Sequence, residues 1–421
     1  MKFFYVLFFL VNLIIIPKDI QILSLKQALS IAKLNNPIYL AEKNTIGIAK
    51  GDLISSKLLP NPVLNNEMLV LQKPSTGNLL TPGTGGTGGA INSANRQDWI
   101  QVTQKIPVAG QREYGIQLAK KNLELAGNNL TEFERNILLQ VSLKWLDVWF
   151  ALEKLNIIQR TKNFTEELLN INKIRLKNQV ITQAEFLRTK NIVEQYDATY
   201  SLATQNYINE LRILKFLLGT EEHIETLRED PIFSKEVEPL ETLLSESIKN
   251  RPDLLTTKTS VEAARVNVKL QEAFAYPSPD IGLVYNPQNN TPYFGTVIFV
   301  QIPINNRNQG EIYKSNSQLK QAIGVNTTLE LRIKTELDNS YGEYRTTKTN
   351  LEKFKSISEN AEKVVETVKY SYLKGGTNII DYLDAQRSWF DSQILFYESI
   401  YSYRKSFIQL LYVTARIQKL E

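Results

Sequence analysis

Hydrophobic and polar positions follow two different periods along this chain. From Gln111 to Leu176, the apolar residues Ile137, Val141, Leu146, Trp149, Leu152 and Leu155 recur at spacings of three to five, with no proline in the run. That is the period of a helix with one apolar stripe. It predicts long helices over about 111–176 and 182–217, and again over 309–372 and 378–414. At 1.5 Å per residue the first run reaches on the order of 100 Å. No single globular core has that length, so such helices pack as coiled coils or line a long tube. A soluble filamentous scaffold satisfies the same pattern.

Elsewhere the period drops to two. Strands are predicted at about Val63–Leu71, Trp99–Ile106, Asp280–Tyr285 and Tyr293–Ile302. Leu64, Asn66, Met68 and Val70 oppose Val63, Asn65, Glu67 and Leu69; Ile100, Val102 and Ile106 oppose Trp99, Gln101, Thr103 and Lys105; Ile281, Leu283 and Tyr285 share a face; Phe294 to Ile302 is apolar on both faces except for Thr296 and Gln301. One apolar and one polar face suits a strand between lipid and a wet lumen, and equally a soluble sandwich. A spanning barrel needs about eight strands or more. If these four sit in a membrane, several chains must pool them, and three chains would supply twelve.

The plan occurs twice. The segment Leu25–Pro37 lies over Leu240–Pro252 at an offset of 215, Ile106-Pro107-Val108 over Ile302-Pro303-Ile304, and Leu176-Lys177 over Leu373-Lys374. This makes two structural repeats, 23–239 and 240–421. Each begins with a short helix ending before Asn36-Pro37 or Arg251-Pro252. A second helix follows from Pro37 to Leu59 or from Pro252 to Ala275, with Pro at its first position. The Gly- and Thr-rich segment Gln72–Gln97 lacks the Gly-Lys-Ser/Thr ending of a phosphate loop and reads as a surface loop.

Lys2 followed by the apolar run Phe3–Ile16 reads as a signal peptide, 1–22, with no evident cleavage site. No later stretch is a continuous apolar twenty-mer, so membrane residence would require a β-barrel. A net charge of +5 over 421 residues, without a basic run, argues against nucleic acid. The chain has no Cys, one His and two Met, which argues against disulfides, a thiol nucleophile and soft-metal sites. His223, among Glu221, Glu222 and Glu225, has no nucleophile or ligand partner at useful spacing and reads as a surface residue. No catalytic, metal or cofactor site is expected.

Several local patterns then occur in a fixed order. They are Leu25-x-x-Ala28-Leu29 through Asn36-Pro37, Leu59-Pro60-Asn61-Pro62, Arg251-Pro252-Asp253-Leu254 with Ala263-Ala264, and Gly376 followed by Asp381-Tyr382-Leu383-Asp384-Ala385-Gln386-Arg387. On these the chain resembles the TolC-like outer-membrane efflux channel family over nearly all of its length after the leader. Pro303 to Ile312, with Gln104 to Arg112 as its first-half counterpart, is similar to the heavy-metal branch (cobalt–zinc–cadmium and copper–silver type). The residues of that motif themselves read as a strand end and a helix start, not as metal ligands.

The resemblance implies a fold that is mostly α with a small β part. Four strands per chain would join a twelve-stranded barrel of a homotrimer in the outer membrane, and the long helices would form a tunnel across the periplasm. It implies a passive duct, not an enzyme, docked to a periplasmic adaptor and an inner-membrane pump of the resistance–nodulation–division class. Heavy-metal cations are the expected cargo; drugs or an exported polypeptide are alternatives. It also implies a gate at the helix tips, with Tyr372, Thr377, Asp381, Asp384, Glu185 and Arg188 as candidates. Asp381 and Asp384 would form acidic rings, although negative charge in a first helical turn needs no such function. Thr377 stands where the family often has Arg. Adaptor contacts are expected at Asn178, Gln179, Val180, Ile181 and Thr182, and at Gly375, Gly376, Asn378 and Ile379.

Overall fold

The computed structural model describes residues 21–70, 96–288 and 291–420. The leader up to residue 20, most of the Gly- and Thr-rich loop and the centre of the second strand turn lie outside these residues. In chain order the elements are β1 (Gln21–Leu23), α1 (Leu25–Asn35), α2 (Pro37–Glu42), α3 (Asn44–Lys57), β2 (Val63–Val70), β3 (Arg96–Lys105), α4 (Gln111–Lys177) and α5 (Gln183–Leu218). The second half has β4 (Ile224–Thr226), a 3₁₀ turn (Pro231–Ser234), α6 (Leu240–Asn250), α7 (Pro252–Ala273), β5 (Asp280–Gln288), β6 (Thr291–Phe299), α8 (Gln309–Leu373) and α9 (Ile379–Val413). The four long helices stand within a residue of their predicted ends. The expected helix Pro37–Leu59 is instead broken at Lys43. The pair β1–β4, three residues each and parallel, was not foreseen. It begins at Gln21, inside the stretch assigned to the leader.

The chain forms two compact units. The first comprises the described residues of Met1–Lys43 with Thr131–Pro252 and Glu330–Glu421; the second, those of Asn44–Leu130 and Asp253–Leu329.

In the first unit, α1, β1, β4 and α6 cover the apolar stripes of the long helices. Ser24 and Gln27 form a capping box that starts α1, and the Leu25 amide donates to Asp230 Oδ2 at 2.7 Å. Leu25, Ala28, Leu29 and Ala32 are buried against Trp145 and Trp149 of α4 and Leu214 and Leu218 of α5. Both indoles have acceptors: Trp145 Nε1 donates to Leu23 O and Trp149 Nε1 to Arg228 O, each at 3.1 Å. Arg404 is buried beside them, its guanidinium 4.1 Å from the Trp149 ring, and burial lowers its pKa to about 10.

The repeated X-Pro motif has a shared task. Asn36, fully buried, donates through Nδ2 to Leu217 O at the end of α5 and accepts from the Tyr39 amide to start α2. Arg251, its counterpart, donates to Val413 O at the end of α9 and to Glu336. Both long helices then stop in a left-handed residue, Gly219 (φ 63°) and Ala415 (φ 53°), 196 residues apart. A Cβ on Gly219 would lie 2.2 Å from Asn35 O, so glycine is required there.

In the second unit, β2, β3, β5 and β6 form one antiparallel sheet in that order. Register places Leu64, Val102, Leu283 and Thr296 in one row and Asn66, Ile100, Tyr285 and Phe294 in the next. With Met68, Ile281 and Ile298 these make a mainly apolar face. Asp98 and Gln104 also lie on it, while Asn65, Glu67, Gln101, Thr103, Lys105 and Asp280 fall on the opposite face, together with Val63, Leu69, Trp99, Val284, Tyr293, Val297 and Phe299. Gly282 lets β3 and β5 approach: an added Cβ would lie 2.1 Å from Val102 O.

The strand-to-helix joints are latched by the residues of the repeated Ile-Pro motif. Gln111 Nε2 donates to Ala273 O (3.1 Å) and Tyr276 O (2.6 Å), and Asn308 Nδ2 donates to Gln271 O (2.7 Å), so both joints hold the end of α7. Arg112 does the same for α3 through Lys57 O at 2.7 Å. Orphan carbonyls at a helix C-terminus are satisfied in this way.

Gly282→Ala is expected to force β3 and β5 apart. The thermal midpoint of the detergent-extracted protein should fall by several degrees, whereas Gly295→Ala, whose Cβ would meet only Val284 Cγ1 at 3.3 Å, should change it far less.

Candidate functional site at the helix tips

The tips belong to the first unit. Helix α4 ends with Gln179 N bonded to Leu176 O (3.0 Å) and Val180 N to Arg175 O (2.9 Å), Gln179 being left-handed at φ 58°. Helix α8 ends alike: Gly375 N to Tyr372 O (3.1 Å) and Gly376 N to Ser371 O (2.9 Å), with Gly375 at φ 79°. These are matching helix stops in which the 5→2 and 6→1 bonds satisfy the last carbonyls. They equate Gln179 with Gly375, an offset of 196. The match of Leu176-Lys177 with Leu373-Lys374 is therefore one residue out of register. Leu176 corresponds to Tyr372.

The next helices start on matching caps. Thr182 Oγ1 accepts from the Glu185 amide, and Glu185 returns the bond by accepting from Thr182 N (2.7 Å) and Oγ1 (2.8 Å). These donors hold the Glu185 carboxyl below its ordinary pKa. Asn378 Oδ1 accepts from the Asp381 amide at 2.9 Å, and Thr377 Oγ1 donates to Asp381 Oδ2 at 2.7 Å. Glu185 and Asp381 therefore occupy the same third helical position. Both carboxylates are engaged by their own turns.

Tyr372 is the centre of the site. It is 3 % exposed, and its hydroxyl donates to Asn172 Oδ1 at 2.7 Å. Asn172 Nδ2 donates to Thr189 Oγ1 (2.9 Å), which donates to Glu185 O (3.0 Å). The Tyr372 ring stacks on Tyr382 with centroids 5.4 Å apart, tying α8 to α9. Burial pushes the Tyr382 phenol up to about 12. Arg175 of α4 stands 4.5 Å from the Tyr372 ring centroid and donates to Tyr372 O (3.1 Å) and Leu373 O (3.3 Å). A cation thus reaches the turn that holds Thr377 from α4.

The structure sorts the other candidates. Arg188 and Asp384 line one open groove of 640 Å³, with Tyr196 and Phe390 packed edge to face at 5.5 Å on its floor. No salt bridge joins Arg188 to Asp384 among the described residues. Asn178, Gln179, Val180, Thr182, Gly375, Gly376 and Asn378 are exposed, and Ile181 is half-buried. Ile379 departs from its expected role as a contact: it is 2 % exposed, in a cluster with Leu168, Tyr372 and Tyr382, while Ile380 beside it is 55 % exposed. Sequence reasoning missed Asn172, Arg175, Thr189 and Tyr382. Asn172 and Thr189 are polar residues at buried helical positions, a signal that needs the helix phase to be known.

The outer membrane efflux protein family matches residues 243–415. The cobalt-zinc-cadmium resistance protein CzcC of Cupriavidus metallidurans is 21% identical over 377 residues, 88% of this chain and 85% of that protein. A membrane protein from Pseudomonas aeruginosa superposes with TM-score 0.77 at 16% identity, over 93% of this chain and 90% of the other. CusC does so with TM-score 0.76 at 15% identity, over 93% and 91%. The Campylobacter jejuni CmeC outer membrane channel gives 0.76 at 14% identity, over 93% and 85%.

Tyr372→Phe removes the hydroxyl that Asn172 accepts from and should cost about 1 kcal/mol of local stability. Faster amide exchange at the start of α5, with the rest of the first unit unchanged, is the expected reading. The Glu185 cap stabilises fully above the ordinary carboxylate range and is lost as pH falls through its lowered folded pKa. Protection at residues 183–186 should therefore decline on acidification below about pH 4. Glu185→Gln should remove that pH dependence, whereas Thr182→Ala, which keeps the backbone amide donor, should only reduce it.

Proposed function

The chain carries the fold and the family signature of the TolC-like outer membrane efflux channels, and on that premise we propose that it is the passive exit duct of a three-part efflux system with heavy-metal cations as cargo. Three copies pool their strands into one barrel in the outer membrane, and the long helices run into the periplasm. A periplasmic adaptor and an inner-membrane pump of the resistance–nodulation–division class dock at the exposed turns 178–182 and 375–378, and the pump supplies the energy. The N-terminal leader directs export.

The observation that carries this reading is the four-stranded sheet. Among the described residues its outer strands β2 and β6 each present an unpaired edge, and one of its faces is mainly apolar. Strands cannot end in open edges within lipid, so closure requires further copies. The metal assignment rests on the likeness to the cobalt-zinc-cadmium resistance protein CzcC and to the heavy-metal branch motif at the joints. The motif residues Gln111, Arg112 and Asn308 are latches there, and metals would pass as hydrated ions without a dedicated site.

The tip turns would act as the gate. The Tyr372–Asn172–Thr189 chain and the Tyr372–Tyr382 stack hold the two tips of one chain together, and Asp384 faces an open groove as the acid available to passing cations. Asp381 is less available, because Thr377 donates to it.

Fractionation with mass analysis in detergent is the first test. A trimer in the outer membrane is expected; a soluble monomer or elongated dimer would favour a scaffold. In planar bilayers Asp384→Ala should lower cation preference more than Asp381→Ala does. Equal, unaltered selectivity in both variants would leave these residues with helix-capping roles alone.

A further inference from the structure

Where β6 runs into α8, the second unit has an open groove of 1040 Å³ that none of the foregoing uses. Its apolar wall is formed by Ile302, Ile304, Ile312 and Tyr276. Ile302 is 78 % exposed, Ile304 74 % and Tyr276 63 %. Exposure of that order at three adjoining large apolar side chains marks a surface with an occupant. The groove also holds Lys269 and Arg307, with Glu272 one turn from Lys269 on α7. Arg307 Nε is fixed to Pro303 O at 3.1 Å.

The placement of the groove identifies its chemistry. The apolar face of the sheet includes Phe294, Thr296 and Ile298 of β6. Beyond the strand Val300, Ile302 and Ile304 are exposed, with Gln301 and Pro303 between them. Exposed apolar side chains thus follow the last strand pair into the groove that holds the two cations. Tyr276 stands in the same groove. An apolar wall with a tyrosine, beside Lys and Arg, is the set of side chains met where a hydrocarbon layer gives way to its headgroups.

We propose that this groove is a binding site for a glycerophospholipid of the periplasmic leaflet. Lys269 and Arg307 would take the headgroup phosphate, Glu272 would accept from an ethanolamine ammonium, and Ile302, Ile304 and Tyr276 would lie along an acyl chain. The site rests on the outer-membrane reading above. It would fix the depth of the barrel in the bilayer at the joint where α7 is latched by Gln111 and Asn308.

The test is lipid retention by the intact oligomer. The protein is reconstituted in nanodiscs of phosphatidylethanolamine and phosphatidylglycerol, released into detergent, and its bound lipid counted by native mass spectrometry. The double variant Lys269→Gln/Arg307→Gln should hold phospholipid roughly tenfold more weakly, with the oligomer intact. Unchanged retention would overturn the proposal. So would dissociation of the oligomer with lipid per chain unaltered, which would assign the groove to a second copy. On the unaltered protein, phosphatidylglycerol should be retained over diacylglycerol with the same chains; equal retention would remove the headgroup from the site. Recovery of the protein in the soluble fraction would overturn the outer-membrane reading itself, a result distinct from loss of lipid by a membrane oligomer.

Discussion

Backbone hydrogen bonding at the edges of the small sheet governs how this chain is built. Four strands in the order β2-β3-β5-β6 leave two strands half-paired. In water such an edge invites aggregation; in hydrocarbon each unpaired group costs several kcal/mol. The sheet has exposed apolar side chains, among them Leu64 at 68 %, Leu283 at 68 % and Phe294 at 81 %. Among the described residues nothing pairs these edges or covers this face, and on the function proposed above closure with further copies in a bilayer would satisfy both.

The helices answer a different constraint, that every long helix must stop cleanly. The chain uses one solution four times. A left-handed residue ends α4, α5, α8 and α9, at Gln179, Gly219, Gly375 and Ala415. A buried polar side chain from the neighbouring X-Pro corner then takes a terminal carbonyl of α5 and of α9. The internal repeat is thus a repetition of helix stops and latches. It tolerates different residues at equivalent places, Asn36 against Arg251 and Gly219 against Ala415, because the backbone bond is what is preserved.

At the tips the same stops carry buried side chains that tie the helices to one another. Tyr372 connects to Asn172 by its hydroxyl, to Tyr382 by its ring and to Arg175 by ring and carbonyl. The assembly uses neutral hydrogen bonds and stacking together with one cation. Its acids divide by partner: Glu185 and Asp381 complete turns, and Asp384 faces the groove. Family resemblance pointed to Tyr372, Asp381 and Asp384 as a group. The geometry separates them by what each carboxylate or hydroxyl already bonds.

The long helices, the four main strands and the doubled plan were legible in the residues, because apolar period, X-Pro corners and strand alternation are local properties. The short pair β1–β4 was not, since three residues carry too little periodicity to register. The break at Lys43 was hidden for a similar reason, as no Pro or Gly marks it. The one-residue slip in the tip alignment came from trusting side-chain identity where backbone bonding sets the register. Likewise Asn172, Thr189 and Arg175 read as ordinary polar helix residues. Only tertiary structure decides which helix face is covered, and hence that Asn172 and Thr189 meet in the interior and Arg175 reaches the turn of another helix.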